Sequence, residues 1–326
     1  MKSPTGLSSD YPEKKQKKSK KDVLRRSRDQ NDSKLKYLFC HSAVSMYQRN
    51  RLFLIVFYLI LINFLSYASP SGIMAGETIR INGSGACLAM LKPLMEAYGK
   101  ENRGISFQVE KPLGSSGAIK ALLADAIDIA IVARPLKTEE MIRGARLVNY
   151  GKTPLAVITE EKVPVKNIST RELEDIYYGK IQEWPNGKPL RIILRPMEDA
   201  DTKILMRLSA GMAEAVARAH QRRGVMIAET DFQSYEAVSR TGGGIGAVGL
   251  PVILSGKLPL NVLALNGIKP SRRNLANGTY PLSKNISFVT MGRLHGAAAK
   301  FLEFIYSNKG RAIAEKAGVL FTLDHP

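Results

Sequence analysis

The sequence contains few of the side chains that bind metal ions or form disulfides. Among its 326 residues there are two cysteines and four histidines. Cys40 and Cys87 do not stand at a metal-binding spacing, and the histidines are scattered along the chain. These scarcities argue against a disulfide framework and a metal site, and we expect no cofactor.

The sequence also lacks the motifs of the common enzyme classes. No serine lies in a nucleophile elbow, and no pair of carboxylates stands out. The glycine-rich stretch 242–246 lacks the Lys-Ser/Thr pair of a phosphate-binding loop and predicts a turn into a strand. Trp184 and the Tyr177-Tyr178 pair are expected to pack in the core or at a hinge. We therefore predict a protein that is not an enzyme.

Long apolar runs are scarce too, apart from the uncharged stretch 52–65 near the N-terminus. Arg49 and Arg51 precede this stretch, and the small-x-small triplet Ser66-Tyr67-Ala68 follows it. This arrangement is typical of a secretory signal peptide, whereas a membrane-spanning helix needs roughly 20 apolar residues. We predict a signal peptide over 51–68, cleaved after Ala68 to release a soluble periplasmic protein. An uncleaved membrane anchor is the alternative.

Positive charge exceeds negative charge, with 48 basic and 29 acidic residues and a net charge of +19. Residues 1–50 are polar and rich in lysine, which is typical of disordered segments. This segment is either a basic arm that binds nucleic acid or acidic lipid, or an inert tail, or an upstream extension of a chain that begins at Met46. A signal peptide would separate such an arm from the folded body, so no nucleic-acid partner is predicted. The body itself is mildly basic, which attracts anions of any kind.

From residue 77 onward, strand-like runs alternate with helical periods. Strands are predicted over 78–81, 105–109 and 127–132, with one helix between each pair. The regular part of the first helix is expected to begin at Pro93, because proline fits only the first turn of a helix. This strand–helix order predicts a parallel sheet with helices on its faces.

The remainder of the body continues the alternation. A capping box at Ser169 and Glu172 opens a helix, and another helix is predicted over 201–208. Strands are predicted over 191–194, 247–250 and 262–265, and a last helix runs from 296 to about 306. The stretch 153–159 is expected to cross between two lobes. We predict an α/β fold in which 76–155 and 255–326 form lobe 1 and 156–254 form lobe 2, each a mostly parallel sheet flanked by helices.

Five segments along 77–322 carry a family resemblance. They are INGSGACLAMLKPLMEAY, LGSSGAIKALLADAIDIAIVARPL, NISTRELEDIYYGKIQEW, NLANGTYPL and AAAKFLEFIYSNKGRAIAEKAGVL. Taken in this order, they resemble segments of the phosphate-binding proteins of bacterial phosphate ABC importers, which have the type II periplasmic binding fold. The resemblance implies a monomeric solute-binding protein that captures phosphate between two lobes and delivers it to an ABC permease. The alternatives are the same fold binding sulfate, molybdate or tungstate, and a membrane-tethered sensor or adhesin.

Three loop–helix junctions have the chemistry of an oxyanion site. A helix N-terminus offers unpaired N–H groups and about half a positive charge, and the resemblance implies hydroxyls and an arginine beside it. The predicted ligand-binding residues are Ser84, Gly85, Ala86, Ser115, Ser116, Gly117, Arg134, Arg195 and Thr202. At the third junction Asp201 or Thr202 is expected to cap the helix. Each junction has a plainer interpretation as a helix start without a ligand.

The sequence departs from the family at three positions of the implied site. Cys87 stands where the family has threonine, and 200–202 stands where it has Ser-Gly-Thr. Ala133 and Arg134 replace an aspartate that accepts the proton of hydrogen phosphate. If Arg134 points into the cleft, it donates charge-assisted hydrogen bonds to any oxyanion, and discrimination against sulfate weakens. If Glu198 or Asp201 reaches the ligand, the acceptor has moved and sharp selectivity returns; we expect phosphate to be preferred with weakened discrimination.

Overall fold

The computed structural model describes residues 76–322. The elements before residue 165 are β1 (Glu77–Gly83), α1 (Gly85–Glu101), β2 (Ile105–Gln108), α2 (Gly114–Leu123), β3 (Ile129–Val132), α3 (Thr138–Ile142) and β4 (Ala145–Glu160). Those from 167 to 249 are β5 (Asn167–Ile168), α4 (Thr170–Tyr178), β6 (Arg191–Leu194), α5 (Ala200–Met206), α6 (Ala210–Gln221), β7 (Met226–Ile227), α7 (Asp231–Arg240) and β8 (Gly244–Gly249). The remaining elements are α8 (Leu250–Ser255), β9 (Leu260–Val262), β10 (Ala264–Leu265), α9 (Arg272–Ala276), β11 (Ser283–Met291), α10 (Gly296–Tyr306), α11 (Asn308–Lys316) and β12 (Leu320–Phe321).

A ten-stranded sheet runs through the described residues. Its main order is β2-β1-β3-β11-β4-β8-β6-β7, and β9 and β12 pair with β4 at its sides. At one end β1 is parallel to both β2 and β3, and at the other end β6 is parallel to both β7 and β8. The β-α-β-α-β order predicted for the first segment is confirmed. The parallel strands place their carboxyl ends, and the helix N-termini that follow them, at one edge of each half.

The 16-residue strand β4 joins the two halves of the sheet. Its first part pairs antiparallel with β11, up to Pro154, and its last part pairs antiparallel with β8, from Leu155 to Thr159. The stretch 153–159 therefore passes from one half to the other as continuous strand. We call the β2-β1-β3-β11 side the first half and the β8-β6-β7 side the second half. The lobe boundaries predicted from the sequence stay a prediction.

Each half has its own hydrophobic core. In the first half, the buried faces of α1 and α10 share one cluster with residues of β1 and β11. The two helices contact each other through Tyr98 and Phe301, whose ring centroids lie 5.1 Å apart. In the second half, α4 and α6 pack on β4 and β6, with Leu173, Val216 and Trp184 among the buried residues. The indole of Trp184 donates to the Gly243 carbonyl at 2.9 Å, so its predicted packing role is confirmed.

Several sequence-based boundaries were wrong. Helix α1 begins at Gly85 and contains Pro93 in its interior. Proline has no N–H to donate to the carbonyl four residues earlier, but the buried residues Leu91, Leu94 and Tyr98 hold the helix against the core. Helix α10 is not the last one, because α11 follows it. Strand β8 begins at 244 rather than 247, inside the glycine-rich stretch.

The predicted signal peptide, its cleavage site and the basic segment lie outside the described residues. Within 76–322, no helix combines the length and apolar character that crossing a membrane requires.

Candidate functional site

Strand β1 runs directly into α1, with Ser84 as the N-cap residue. The Ser84 side chain forms no capping hydrogen bond, and the first turn of α1 contains no acidic residue. The Ser84 hydroxyl instead donates to Oδ2 of Asp231 at 3.5 Å. A Cβ at Gly85 would stand 2.9 Å from the Asp231 Cβ, so only glycine allows Asp231 this close to the helix end. The N-terminus of α1 thus accommodates a closely approaching acceptor.

The N-terminus of α2 lies beside that of α1. Asn82, near the end of β1, accepts a hydrogen bond from the Leu113 N–H at 2.9 Å. The Ser115 hydroxyl oxygen accepts one from the Ala133 N–H at 3.0 Å, which links α2 to the end of β3. Ser115 and Ser116 belong to the first turn of the helix rather than preceding it, because α2 begins at Gly114 and Leu113 is its N-cap. Two helix N-termini without acidic first-turn residues therefore share one edge of the first half.

The Arg134 side chain is held by groups of the protein. Its guanidinium donates to both carboxylate oxygens of Glu140, at 2.6 and 2.9 Å, and its Nε donates to the Ser116 hydroxyl oxygen at 3.0 Å. The hydrogen bonds from Arg134 hold the pKa of Glu140 below its usual value. Arg134 also borders a cavity of about 290 Å³ that Ala133 and Glu198 line. It borders this cavity with its charge offset by Glu140, and its role toward an anion stays a prediction.

Arg195 follows β6 in the second half and is 4% exposed. Its Nη2 donates to Oδ2 of Asp199 at 2.8 Å, and its Nη1 donates to the Ala228 carbonyl. Its Nε has no hydrogen-bond partner within 76–322 and lies 3.8 Å from Oδ2 of Asp201. The Thr202 hydroxyl donates to the Arg195 carbonyl at 3.1 Å. The only proton of that hydroxyl is used within the protein, and a role of Thr202 toward an anion stays a prediction.

The sequence predicted Asp201 or Thr202 as the N-cap of α5, and this prediction was wrong. Asp199 is the N-cap residue, and its carboxylate accepts the Asp201 N–H at 2.9 Å. Asp201 is thereby free to turn inward, where it is fully buried.

A buried lysine that sequence reasoning missed lies at the centre of this region. Nζ of Lys284, on β11, lies 2.7 Å from Oδ1 of Asp201 and 2.6 Å from Oδ1 of Asp231. Nη2 of Arg195 is 4.0 Å from Oδ2 of Asp231. These residues and the partly exposed Asp199 form a cluster of two cations and three carboxyl groups, which we call the interlobe cluster. Removing charges from water is costly unless each is paired, and the close contacts to Lys284 meet that condition.

The sequence carried a signal for Lys284. Side chains alternate between the two faces of a strand, and Lys284 shares its face with Ile286 and Phe288, both of which are buried. A lysine on the buried face of a strand requires carboxylate partners. The partners themselves, Asp201 and Asp231, stand at the starts of separate helices, and nothing in their local sequence connects them to β11.

The pKa values of the interlobe cluster are set by burial and by the charges of neighbouring groups. Burial alone would lower the pKa of Lys284, but Asp201 and Asp231 outweigh it and raise that pKa. Burial would raise the pKa of Asp231, but Lys284 and Arg195 outweigh it and lower that pKa. For Asp201, burial together with Asp231 and Asp199 prevails over Lys284 and raises the pKa to about 8. Loss of the Asp201 proton as the pH rises through about 8 adds one negative charge to the cluster.

Cys87 adjoins the interlobe cluster as a buried thiol. Burial raises the pKa of this thiol to about 12. Cys87 is therefore neutral at physiological pH.

The chain is similar to proteins of known class over about three quarters of its length. A family model described as a PBP superfamily domain matches residues 68–309. The phosphate-binding protein PstS of Borreliella burgdorferi is 25% identical over 251 residues, which cover 75% of this chain and 90% of that protein. Protein SphX of Synechococcus elongatus is 29% identical over 263 residues, covering 73% of this chain and 75% of that protein.

Solved structures share the fold. One is a phosphate ABC transporter substrate-binding protein from Clostridium perfringens with bound phosphate, at a TM-score of 0.65 and 22% identity. That alignment covers 76% of this chain and 100% of the other. At this level of identity the likeness establishes a common fold.

Proposed function

The chain belongs to the PBP superfamily, and from this membership we propose that it captures a small inorganic oxyanion, phosphate in the first place, between the two halves of its sheet. The relatives described as phosphate-binding proteins support phosphate as the ligand. We further propose that the protein acts by binding alone, as a monomer outside the cytoplasm, and delivers the anion to an ABC permease.

One observation carries this proposal. The N-termini of α1 and α2 meet at one edge of the first half, and Arg195 of the second half approaches the same region through Asp231. Backbone N–H groups at helix ends and a guanidinium are the donors that bind tetrahedral oxyanions. They come from both halves of the sheet, so an anion held among them would link the two halves. The closed form has a defined shape that a permease can recognise.

Titration calorimetry on the full chain tests the proposal. Phosphate is the titrant, and sulfate and molybdate are the competitors. We expect phosphate to bind best and sulfate to compete measurably, because the carboxylate that would reject a fully ionised anion is replaced by Ala133. Tighter binding of sulfate or molybdate would identify that anion as the ligand in place of phosphate. No heat of binding with any of the three anions would overturn the proposal.

A further inference from the structure

The carboxylate of Asp231 occupies the position at the N-terminus of α1 where an external oxyanion would bind. It accepts the Ser84 hydroxyl at 3.5 Å, and it lies so close to the start of α1 that a Cβ at Gly85 would stand 3.2 Å from its Oδ2. Nζ of Lys284 lies 2.6 Å from its other oxygen. A hydroxyl at a helix N-terminus and a cation are donor types of an oxyanion site. Asp231 is almost fully buried, so the position is filled.

The contacts of Asp231 also join the two halves of the sheet. Asp231 opens α7, which packs on β8 in the second half, whereas Ser84 and Lys284 belong to the first half. The second partner of Lys284, Asp201, likewise belongs to the second half and follows β6. Both carboxyl contacts of Lys284 therefore cross from one half to the other.

We infer that Asp231 is a tethered substitute for the ligand anion, which closes the cleft in the absence of ligand and must leave the α1 N-terminus before an external oxyanion can bind there. An external dianion beside the ionised Asp231 would face a like charge among buried groups, which is strongly unfavourable. When Asp231 leaves, Ser84, the α1 N–H groups and Lys284 become available together. The identity of the external anion rests on the proposed function. The closed state without ligand does not depend on it.

The test compares Asp231→Asn with the wild-type full chain. The amide keeps the shape of the side chain and removes the charge that competes with phosphate. We expect phosphate to bind the variant at least about tenfold more tightly, since hydrogen bonds to charged groups of this kind are worth a factor of that size. All three proteins are compared at pH 9, where Asp201 is ionised like Asp231. Under that condition Asp201→Asn is the matched control: it removes the same charge from the same lysine, but Asp201 does not contact the α1 N-terminus. An equal gain in both variants would show that net charge, not occupation of the position, sets the affinity.

Small-angle X-ray scattering without phosphate gives a second readout that does not depend on ligand binding. We expect the wild-type chain to have the same radius of gyration with and without phosphate, and Asp231→Asn to be more expanded without it. A wild-type chain that expands in phosphate-free buffer and contracts on adding phosphate would overturn the inference. If neither protein binds phosphate but the variant still expands, the tethered closure stands and phosphate is removed as the ligand. Weaker phosphate binding by Asp231→Asn would make Asp231 an acceptor for a protonated ligand and contradict the inference.

Discussion

At the scale of single residues, the interlobe cluster decides how the site responds to pH. Asp201 faces Lys284, Asp231, Asp199 and Arg195. Its pKa is raised from an ordinary value of 3.8 to about 8, so the folded state holds a proton that the unfolded state has lost. The contribution of Asp201 to stability is complete below about pH 4 and declines as the pH rises through about 8.

We therefore predict that the free energy of unfolding falls between pH 5.5 and 8.5, and that Asp201→Asn flattens this decline. Because one pKa unit is worth about 1.4 kcal/mol, the wild-type change is expected to reach a few kcal/mol. Urea unfolding at both pH values measures it. Asp125→Asn is the control, since that side chain is 99% exposed and its variant should keep the wild-type slope. A slope that Asp201→Asn leaves unchanged would assign the pH response to another group.

At the scale of elements, the first turn of α2 combines structural and binding roles. The Ser115 and Ser116 oxygens accept hydrogen bonds from the end of β3, and each hydroxyl still has a proton to donate. The first turn of α2 therefore holds the end of β3 in place, and its two hydroxyl groups can still donate hydrogen bonds to an anion.

Replacing both Ser115 and Ser116 with alanine should weaken phosphate binding by at least tenfold, at about 1.5–3 kcal/mol for each hydrogen bond to a charged group. Calorimetry measures the change. The matched control is Ser271→Ala, which removes the N-cap of α9; it should lower stability by about 1 kcal/mol and leave the affinity unchanged. Wild-type affinity in the double variant would remove α2 from the site.

At the scale of the whole molecule, the prediction of export depends on residues outside the described range. The small-x-small triplet before Ser69 predicts that the exported protein begins at Ser69. N-terminal sequencing of protein from the periplasm of an expressing bacterium measures this. Ala68→Arg should block cleavage and leave the precursor on the membrane. A wild-type chain that stays membrane-bound and begins at Met1 would contradict the prediction.

The fold could be recognised from the sequence over most of the body. The alternation of apolar runs with turn residues marked the strands of the first half, and the capping box at Ser169 and Glu172 is present as predicted. The type II periplasmic fold is confirmed by the structural likeness to the substrate-binding protein of Clostridium perfringens. Boundaries failed where packing overrides local preference, as at Pro93, which the core contacts of α1 keep inside the helix.

The sequence alone determined most of the strand–helix alternation and which helix N-termini follow strands, because hydrophobic period, capping and glycine placement are local. Only the tertiary structure decided what fills the cleft. Lys284, Asp201 and Asp231 are far apart in the chain, and the sheet and its flanking helices bring both carboxyl groups within 3 Å of the Lys284 Nζ. The strength of a charge interaction depends on the distance between the groups and on their burial. Neither the distance nor the burial can be derived from the local amino-acid sequence.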